Sequence, residues 1–300
     1  MAGLSAALYL GRSRRRTLLL DTGRSMARWE EMVDNYLGFP DGVSGRDLLD
    51  RGRKQALQFG ASFSEDEVRQ LRCEHSDGFV VEGVQRTYRA RRVLLATGLT
   101  HLLPDIPGAK ACLGKSVFFC KDCDAFRVQE RRIAVMGHRN EAARYALGML
   151  AFSSSVCIVT NSEPPVWSDG WQARLEEYGI PVRVEAVAEF EHRGGAVHTI
   201  VFSSGASRPV EAVFTTRGDV FHTGLAEQLG AREDDDGQLI VDDDMETTVP
   251  GLYAAGCVTP ANCQMIIAAG QGATAAQAIS RDLFEDDLTR HALHVVMPAT

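Results

Sequence analysis

The sequence contains no run of about 18 apolar residues, the length that a membrane-spanning helix requires. It also shows no signal peptide, because the basic cluster at 12–16 follows the first apolar stretch instead of preceding it. An excess of basic residues is missing too, since the formal net charge is −8 at pH 7. These absences predict a cytoplasmic protein that neither crosses a membrane nor binds nucleic acid.

Cysteine is sparse, with seven in 300 residues, and in a cytoplasmic chain this number does not indicate a disulfide scaffold. Two of them nevertheless stand close together, in FFCKDCDAF at 118–126. A CxxC pair at a turn or helix start can form a redox-active dithiol, because helix N–H groups favour a thiolate. One of Cys120 and Cys123 would attack a partner disulfide, the other would resolve the mixed disulfide, and Asp124 could carry the proton.

The same pair could instead be half of a zinc site, which would need two further ligands at a workable spacing. Cys257 and Cys263 have the wrong gap for this, and no cluster of histidines accompanies either pair. Simple core packing is disfavoured because the segment is polar. We therefore favour the redox interpretation and predict no metal site.

Predicted strands and helices alternate along the chain, which indicates an α/β fold with doubly wound parallel sheets. TLLLD at 17–21 and RRIAVMG at 131–137 each belong to a strand-and-helix unit. Two such starts predict two dinucleotide-binding domains. A glycine fingerprint GxGxxG would end at Gly3, with Asp21 at the offset of the ribose-binding acid. The strand and the two glycines that should precede it are missing, so we expect the first strand of this domain to be absent from the chain.

The chain resembles the low-molecular-weight thioredoxin reductase family over nearly its whole length. The stretches that carry the resemblance are AGLSAALYL, NYLGFPDGVSGRDLL, VLLATG, CKDCD, IAVMGHRNEAARYAL, TTVPGLYAAGCV and QMIIAAGQGATAA. The resemblance implies an FAD-binding domain, formed by 1–115 and 247–300, that is split around an inserted pyridine-nucleotide-type domain at 116–246. It also implies a homodimer whose partner is a thioredoxin-like protein.

Site residues follow from the same resemblance. Cys123 would lie nearer the flavin, Cys120 would attack the partner, and Asp124 would be the acid–base residue. The implied FAD contacts are Gly3, Asp21, Asn35, Thr97, Gly98, Gly256, Cys257, Gln264, Met265 and Ile266. Cys257 stands where the family has an aspartate. We interpret it as a tolerated free cysteine, in preference to an auxiliary thiol near the flavin.

The pyridine-nucleotide turn departs from the family pattern. It reads Gly137-His138-Arg139-Asn140-Glu141-Ala142, with Arg139 in place of a glycine that lets the backbone meet a pyrophosphate. The arginines that would bind the 2′-phosphate of NADPH are absent after the next strand, where Glu163 would repel it. We therefore predict that NADPH is not the reductant, and that ferredoxin or a second flavin in the emptied site supplies the electrons.

Two other functions stay open at this point. A small-molecule dithiol oxidase would send electrons from a dithiol substrate to oxygen, although such enzymes typically have histidine where this chain has Asp124. A non-catalytic flavin-binding redox sensor would fit the altered turns, but it has no need for Cys120, Cys123 and Asp124 together.

Overall fold

The computed structural model describes residues 1–74 and 78–293. They form two compact units. The first unit holds Met1–Thr100 and the chain from Phe221 onward, and the second unit is His101–Val220. Helices and strands occur in both units, and this confirms the predicted α/β class.

The elements of the described residues are numbered in chain order. The helices are α1 (Ala2–Arg12), α2 (Gly45–Gln58), α3 (Ala109–Cys112), α4 (Lys121–Asp124), α5 (Asn140–Met149), α6 (Asp169–Glu177), α7 (Gly224–Glu227) and α8 (Met265–Thr289). The strands of the first half are β1 (Leu18–Asp21), β2 (Ser62–Glu65), β3 (Val68–Glu74), β4 (Gly78–Gly83), β5 (Thr87–Ala90), β6 (Val93–Leu95), β7 (Leu99–His101), β8 (Val117–Phe118) and β9 (Ile133–Met136). The later strands are β10 (Val156–Val159), β11 (Val182–Arg183), β12 (Val187–Arg193), β13 (Ala196–Phe202), β14 (Ser207–Pro209), β15 (Ala212–Thr215), β16 (Asp219–Phe221) and β17 (Leu252–Ala254). Short 3₁₀ helices cover Met26–Trp29 and Ala125–Val128.

The limits of the two units differ from the predicted limits of 1–115 with 247–300 and of 116–246. Residues 101–115 fall in the second unit because Ala109 packs in one core cluster with Phe190 of β12. Residues 221–246 fall in the first unit because Leu239 packs in one cluster with strand β17. Which cofactor each unit binds stays a prediction.

The second unit is built on a parallel sheet whose strand order is β11-β10-β9-β15-β8. Val156 of β10 pairs with Ile133 of β9 in parallel register. Successive side chains of β9 enter opposite core clusters, Ile133 and Val135 on one face and Ala134 and Met136 on the other. Burial on both faces is typical of a parallel strand. The predicted strand-and-helix unit near residue 131 is therefore confirmed.

An antiparallel sheet of three strands, β12-β13-β14, adds to the second unit. Its residues Phe190 and Ile200 share a core cluster with Met136 of β9. Helix α5 contributes Ala142 and Ala146 to the other cluster. The parallel sheet is thus covered on both faces.

The first unit contains two parallel strand pairs, β1–β2 and β6–β17, and an antiparallel sheet of β3, β4 and β5. Helix α1 packs on α8 through small residues. A Cβ added at Gly272 of α8 would lie 2.1 Å from the carbonyl oxygen of Ala2, so only glycine permits this approach. The small-residue pattern of both helices thus reflects close packing. The predicted absence of the first strand of this domain stays a prediction.

Ion pairs attach the second half of α8 to the rest of the first unit. Arg92 pairs with Asp282, and Arg91 Nη2 lies 2.6 Å from an oxygen of Asp286. The hydrogen bond from Arg92 lowers the pKa of Asp282 below its ordinary value. Across residues 1–74 and 78–293, neither this helix nor another combines the length and apolar character that spanning a membrane demands.

Candidate active site

The cysteines of the CxxC segment lie at the start of a short helix in the second unit. Cys120 precedes α4 in an extended conformation, and its sulfur is bonded to that of Cys123. The two Cα atoms are 5.3 Å apart. The backbone N–H of Cys123 also donates to Cys120 Sγ at 3.1 Å. A donor directed at sulfur favours the thiolate, so this contact favours Cys120 as the nucleophile of the reduced pair.

Tyr145 of α5 holds the backbone on both sides of Cys120. Its hydroxyl donates to the carbonyl of Phe119 at 2.9 Å and accepts the N–H of Lys121 at 2.8 Å. Burial raises the pKa of Tyr145, so the phenol keeps the proton that the first of these bonds requires. Tyr145 was not predicted from the sequence. A helical pattern shows which face of the helix is buried, but it does not show which backbone groups a tyrosine hydroxyl will bond to.

Asp124 is buried directly after the dithiol, with 9% of its surface exposed. Its backbone N–H donates to the carbonyl of Cys120 at 3.2 Å, and Arg127 Nη1 lies 3.3 Å from its Oδ1. The neighbouring Asp122 is instead exposed and pairs with Lys121. The two carboxylates of the segment therefore have different surroundings. Asp124 is buried beside Arg127, whereas Asp122 is exposed. Its predicted acid–base role stays a prediction.

An aromatic stack flanks the dithiol. The ring of His101 lies on Phe119, with a centroid distance of 4.5 Å and an angle of 21° between the planes. Nδ1 of His101 is hydrogen-bonded to Asp219 of β16. The stack and the Tyr145 contact together fix Phe119, the residue before Cys120. Neither His101 nor Asp219 was predicted from the sequence.

The predicted cofactor residues all lie in the first unit. Asp21 ends β1 and borders a cavity of about 370 Å³ at the carboxyl ends of β1 and β2. Arg28, Arg53 and Glu65 line the same cavity. Nucleotides bind at the carboxyl ends of parallel strands, and carboxylates accept hydrogen bonds from ribose hydroxyls. The cavity therefore suits the sugar end of a dinucleotide, and its two arginines were not found from the sequence.

Two of the predicted glycine positions lie at close approaches of the chain, Gly3 in the first turn of α1 and Gly98 after β6. A Cβ added at Gly3 would lie 3.3 Å from Cβ of Ala96, which is a tight contact. Gly98 has a φ of 66°, in the left-handed region that favours glycine. The hydroxyl of Thr97 donates to the carbonyl of His222 at 2.7 Å, and the N–H of His222 donates to the carbonyl of Gly98. The Thr97–Gly98 turn is thus fixed by a residue that sequence reasoning did not identify.

The remaining predicted contacts gather where β17 ends and α8 begins. Gly256 has a φ of 86°, and its N–H donates to Gln271 Oε1 at 2.8 Å. Gln264 precedes α8, and its Oε1 accepts from Asn35 Nδ2 at 2.8 Å. Met265 and Ile266 are the first residues of this 25-residue helix. A long helix presents free N–H groups and a positive dipole at this end, which suits an anionic or electron-rich ligand edge.

The cysteine pair and the nucleotide-type turns agree with the comparisons to known proteins. The profile described as pyridine nucleotide-disulphide oxidoreductase matches residues 1–279. The chain belongs to this family. A thioredoxin reductase of Streptomyces coelicolor is 30% identical over 290 residues, 92% of this chain and 88% of its own. The thioredoxin reductase of Treponema pallidum is 29% identical over 294 residues, 92% of each chain. The crystal structure of HlmI superposes with a TM-score of 0.90 at 29% identity, over 97% of this chain and 92% of its own.

The protein is accordingly a flavin-dependent disulfide oxidoreductase of the thioredoxin reductase type. The predicted resemblance and the predicted pair of dinucleotide-binding folds are confirmed. The predicted placement in a branch with an altered NADPH site stays a prediction.

This oxidoreductase contains a second disulfide, between Cys257 and Cys263 in the first unit. Our interpretation of Cys257 as a tolerated free cysteine was therefore wrong. The chain turns back between the two residues, so their Cα atoms come within 4.9 Å, a distance that a disulfide spans. The cue in the sequence was the short separation of the two cysteines, which we weighed only as a zinc spacing. Over the described residues, His, Cys, Asp and Glu form no group of three or more that could hold a metal ion.

The turn predicted to meet a pyridine nucleotide joins β9 to α5 in the second unit. A Cβ added at Gly137 would lie 2.1 Å from Oγ1 of Thr216, so this glycine is fixed by packing. Arg139 is the residue directly before α5, and it is exposed. The carbonyl of His138 accepts the N–H of Val166 at 2.8 Å, and Asn140 Oδ1 accepts the N–H of Ser168 at 3.0 Å. Polar atoms of the turn are thus already bonded to the oxidoreductase's own segment at 166–168.

Proposed function

We propose that this oxidoreductase passes electrons from reduced FAD through Cys120 and Cys123 to the disulfide of a thioredoxin-like protein. The observation that carries the proposal is the Cys120–Cys123 disulfide, in which Cys120 Sγ accepts the N–H of Cys123 at 3.1 Å. The thioredoxin reductases that match nearly the whole chain support the choice of partner.

The exchange needs both cysteines and one proton carrier. In the dithiol state, the Cys120 thiolate attacks one sulfur of the partner disulfide, and the other partner sulfur leaves as a thiolate. The Cys123 thiolate then attacks Cys120 Sγ, which restores the internal disulfide and releases the second partner sulfur. In sum, two electrons and two protons pass from the dithiol to the partner. Asp124 is the proposed proton carrier because it directly follows Cys123, its side chain is buried, and its backbone N–H is bonded to the carbonyl of Cys120.

FAD is proposed to bind in the first unit. The residues proposed to hold it are Gly3, Asp21, Asn35, Thr97, Gly98, Gly256, Cys257, Gln264, Met265 and Ile266. Bound there, FAD would supply the two electrons that open the Cys120–Cys123 disulfide. The fit is supported by the cavity beside Asp21 and by the left-handed turns at Gly98 and Gly256, where a side chain would be strained. The first N–H groups of α8 would face an electron-rich edge of the flavin.

NADPH is proposed not to be the electron donor, which leaves ferredoxin or a second flavin. The exposed Arg139 stands at the position where the backbone would meet a pyrophosphate, and the exposed Glu163 adds negative charge nearby in the sequence. The bonds from Val166 and Ser168 also engage the turn. These features support a site that does not bind NADPH in the ordinary way. We further propose that the protein is a homodimer and that it is located in the cytoplasm. Light scattering would test the proposed homodimer.

The test is an anaerobic titration of the purified flavoprotein. Flavin absorbance is followed during additions of NADPH, then reduced ferredoxin, and then an oxidised thioredoxin. We expect bleaching by ferredoxin and not by NADPH, followed by reoxidation with thioredoxin. Ready bleaching by NADPH would overturn the proposed donor and leave the rest of the function intact. Bleaching without any transfer to thioredoxin would indicate a redox sensor, and a burst of peroxide with small dithiols would indicate a dithiol oxidase.

A further inference from the structure

The loop between β17 and α8 is closed by the Cys257–Cys263 disulfide, outside the CxxC segment and in the other unit. It follows the left-handed turn at Gly256 and ends directly before Gln264. Both neighbours, and Cys257 itself, belong to the proposed FAD site. A covalent link at this position joins the two stretches of chain that the flavin would contact.

The two halves of the loop are held differently. In the first half, Gln238 Nε2 donates to the carbonyls of Cys257 and Thr259, at 3.3 and 2.6 Å. Thr259 is fully buried, and its hydroxyl donates to the carbonyl of Gly256 at 2.9 Å. The side chain of Gln238, which lies outside the loop, therefore holds the backbone at Cys257.

The second half of the loop is exposed and bonded locally. Pro260, Asn262 and Cys263 are exposed. The N–H of Ala261 donates to the carbonyl of Thr259 at 2.7 Å, and the N–H of Gln264 donates to the carbonyl of Asn262 at 2.8 Å. Besides the backbone and the bond from Ala261 to Thr259, the disulfide ties the exposed Cys263 covalently to the anchored Cys257. Opening it would leave a short flexible segment directly before Gln264, whose side chain bonds to Asn35.

We propose that Cys257–Cys263 is a second exchangeable disulfide of this enzyme, that dithiols open it, and that opening it loosens the grip of this loop on FAD. Exposed disulfides that close short loops are the labile ones in a reducing compartment. The part that concerns FAD rests on the proposed function, whereas the exchange itself does not.

The exchange step starts at the exposed sulfur. A thiolate of the incoming dithiol attacks Cys263 Sγ and forms a mixed disulfide, while the Cys257–Cys263 bond breaks and Cys257 leaves as a thiolate. The second thiol of the reagent then attacks the reagent sulfur that is bonded to Cys263 Sγ. This closes the reagent's disulfide and releases Cys263 as a thiolate. The reagent is oxidised to its disulfide, and two electrons and two protons reach Cys257 and Cys263.

The test uses the full-length flavoprotein with Cys120→Ser and Cys123→Ser, so that the second disulfide is measured alone. The protein is incubated without oxygen in dithiothreitol, quenched with acid and alkylated, and mass spectrometry reports the labelled fraction of Cys257 and Cys263. FAD release is followed in parallel by flavin fluorescence. We expect both cysteines to be labelled in the folded protein and FAD to dissociate at least about tenfold faster.

A Cys257→Ala, Cys263→Ala variant, made on the same background, serves as the control that is permanently open. We expect it to release FAD at the faster rate with or without dithiothreitol. A pair that resists dithiothreitol until the protein unfolds would overturn the exchange, and unchanged FAD release after labelling would overturn the effect on the cofactor. Failure of the protein to bind FAD at all would count against the proposed function alone, because the labelling result would still stand.

Discussion

The two disulfides of this chain are held in contrasting ways. Cys120–Cys123 lies at the start of a helix, and its backbone is fixed from outside by Tyr145 on both sides of the first cysteine. Cys257–Cys263 lies in a loop in which, within residues 1–74 and 78–293, such an anchor is seen at the first cysteine and is supplied by Gln238. A dithiol that must react repeatedly needs its nucleophile in one place in both redox states. A disulfide between an anchored and an exposed half can instead change the order of a segment when it opens.

The surroundings of the sulfur atoms differ as well. Cys120 Sγ accepts an N–H, and the buried carboxyl of Asp124 follows directly. The N–H favours a thiolate, and the carboxyl group is the proposed proton carrier, which fits turnover. The loop of the second disulfide contains no acidic residue between Cys257 and Cys263. We therefore propose catalysis at the first pair and a structural response at the second.

The largest expected effect comes from Cys123→Ser. Without the resolving thiol, Cys120 stops at the mixed disulfide, so reduction of a thioredoxin-like partner should fall by at least about 10³-fold. Mass spectrometry should find the partner attached to Cys120. Cys73→Ser is the matched control, because Cys73 is a free and exposed cysteine, and its loss should not affect turnover. An adduct on Cys263, or full turnover in the variant, would reverse the roles of the two disulfides.

Asp124→Asn should have the next largest effect. Removing the proton carrier should slow turnover by about 10²-fold and flatten its dependence on pH, while the two cysteines can still be labelled after reduction. Asp122→Asn is the control, since Asp122 is exposed and pairs only at the surface with Lys121, and should stay within about twofold of the parent. If the two substitutions changed the pH–rate profile equally, the negative charge at this helix, and not proton transfer by Asp124, would determine the rate of turnover.

How far the sequence predicted the site depends on the range of the contacts. Cys120 directly precedes the short helix that holds Cys123 and Asp124, so their close spacing in the sequence brought them together. Tyr145 and Gln238 reach their sites from distant positions, and no local pattern marks a hydroxyl or an amide that will bond to a backbone carbonyl. The second disulfide was missed for a related reason. Part of the turn that brings Cys257 and Cys263 together is held by a tertiary bond, from Gln238 to the carbonyl of Thr259.

In the fold as well, some elements were predicted from the local sequence and others were not. Strand β9 is buried on both faces, and its apolar run predicted it correctly. The antiparallel sheet of β3, β4 and β5 was not predicted. In β3 only Leu71 is buried, so this strand has too little apolar periodicity to be recognised. A strand that buries one side chain gives little apolar alternation in the sequence, even when its backbone hydrogen bonds are regular.

Tyr145→Phe tests the anchoring of the first disulfide. The variant loses both bonds around Cys120, so the free energy of unfolding should fall by about 1 kcal/mol for each bond that water does not replace. Exchange with the partner disulfide should slow by about tenfold, because the nucleophile is less well placed. Tyr178→Phe is the control, since Tyr178 is exposed in the same unit.

The same tyrosine gives a dependence on pH. Burial raises the pKa of Tyr145 in the folded state, so its contribution to stability is complete below its unfolded pKa of about 10. That contribution is lost as the pH rises through the folded-state value. Urea unfolding should therefore show the parent more stable than Tyr145→Phe at neutral pH, with the difference shrinking at strongly alkaline pH. A difference that grows with pH would contradict the raised pKa.

The smallest effect should come from Gln238→Ala, which removes the anchor of the second disulfide. Its amide donates to the carbonyls of Cys257 and Thr259, and its loss should cost about 1 kcal/mol of unfolding free energy. Reduction of Cys257–Cys263 by dithiothreitol should become about threefold faster, while that of Cys120–Cys123 should not change. Gln228→Ala is the matched control, because it removes a side-chain bond to Leu71 elsewhere in the first unit and should cost similar stability. If both variants speed reduction of the second disulfide equally, the loop responds to the stability of the whole unit, and the contrast between an anchored and an exposed half would have to be abandoned.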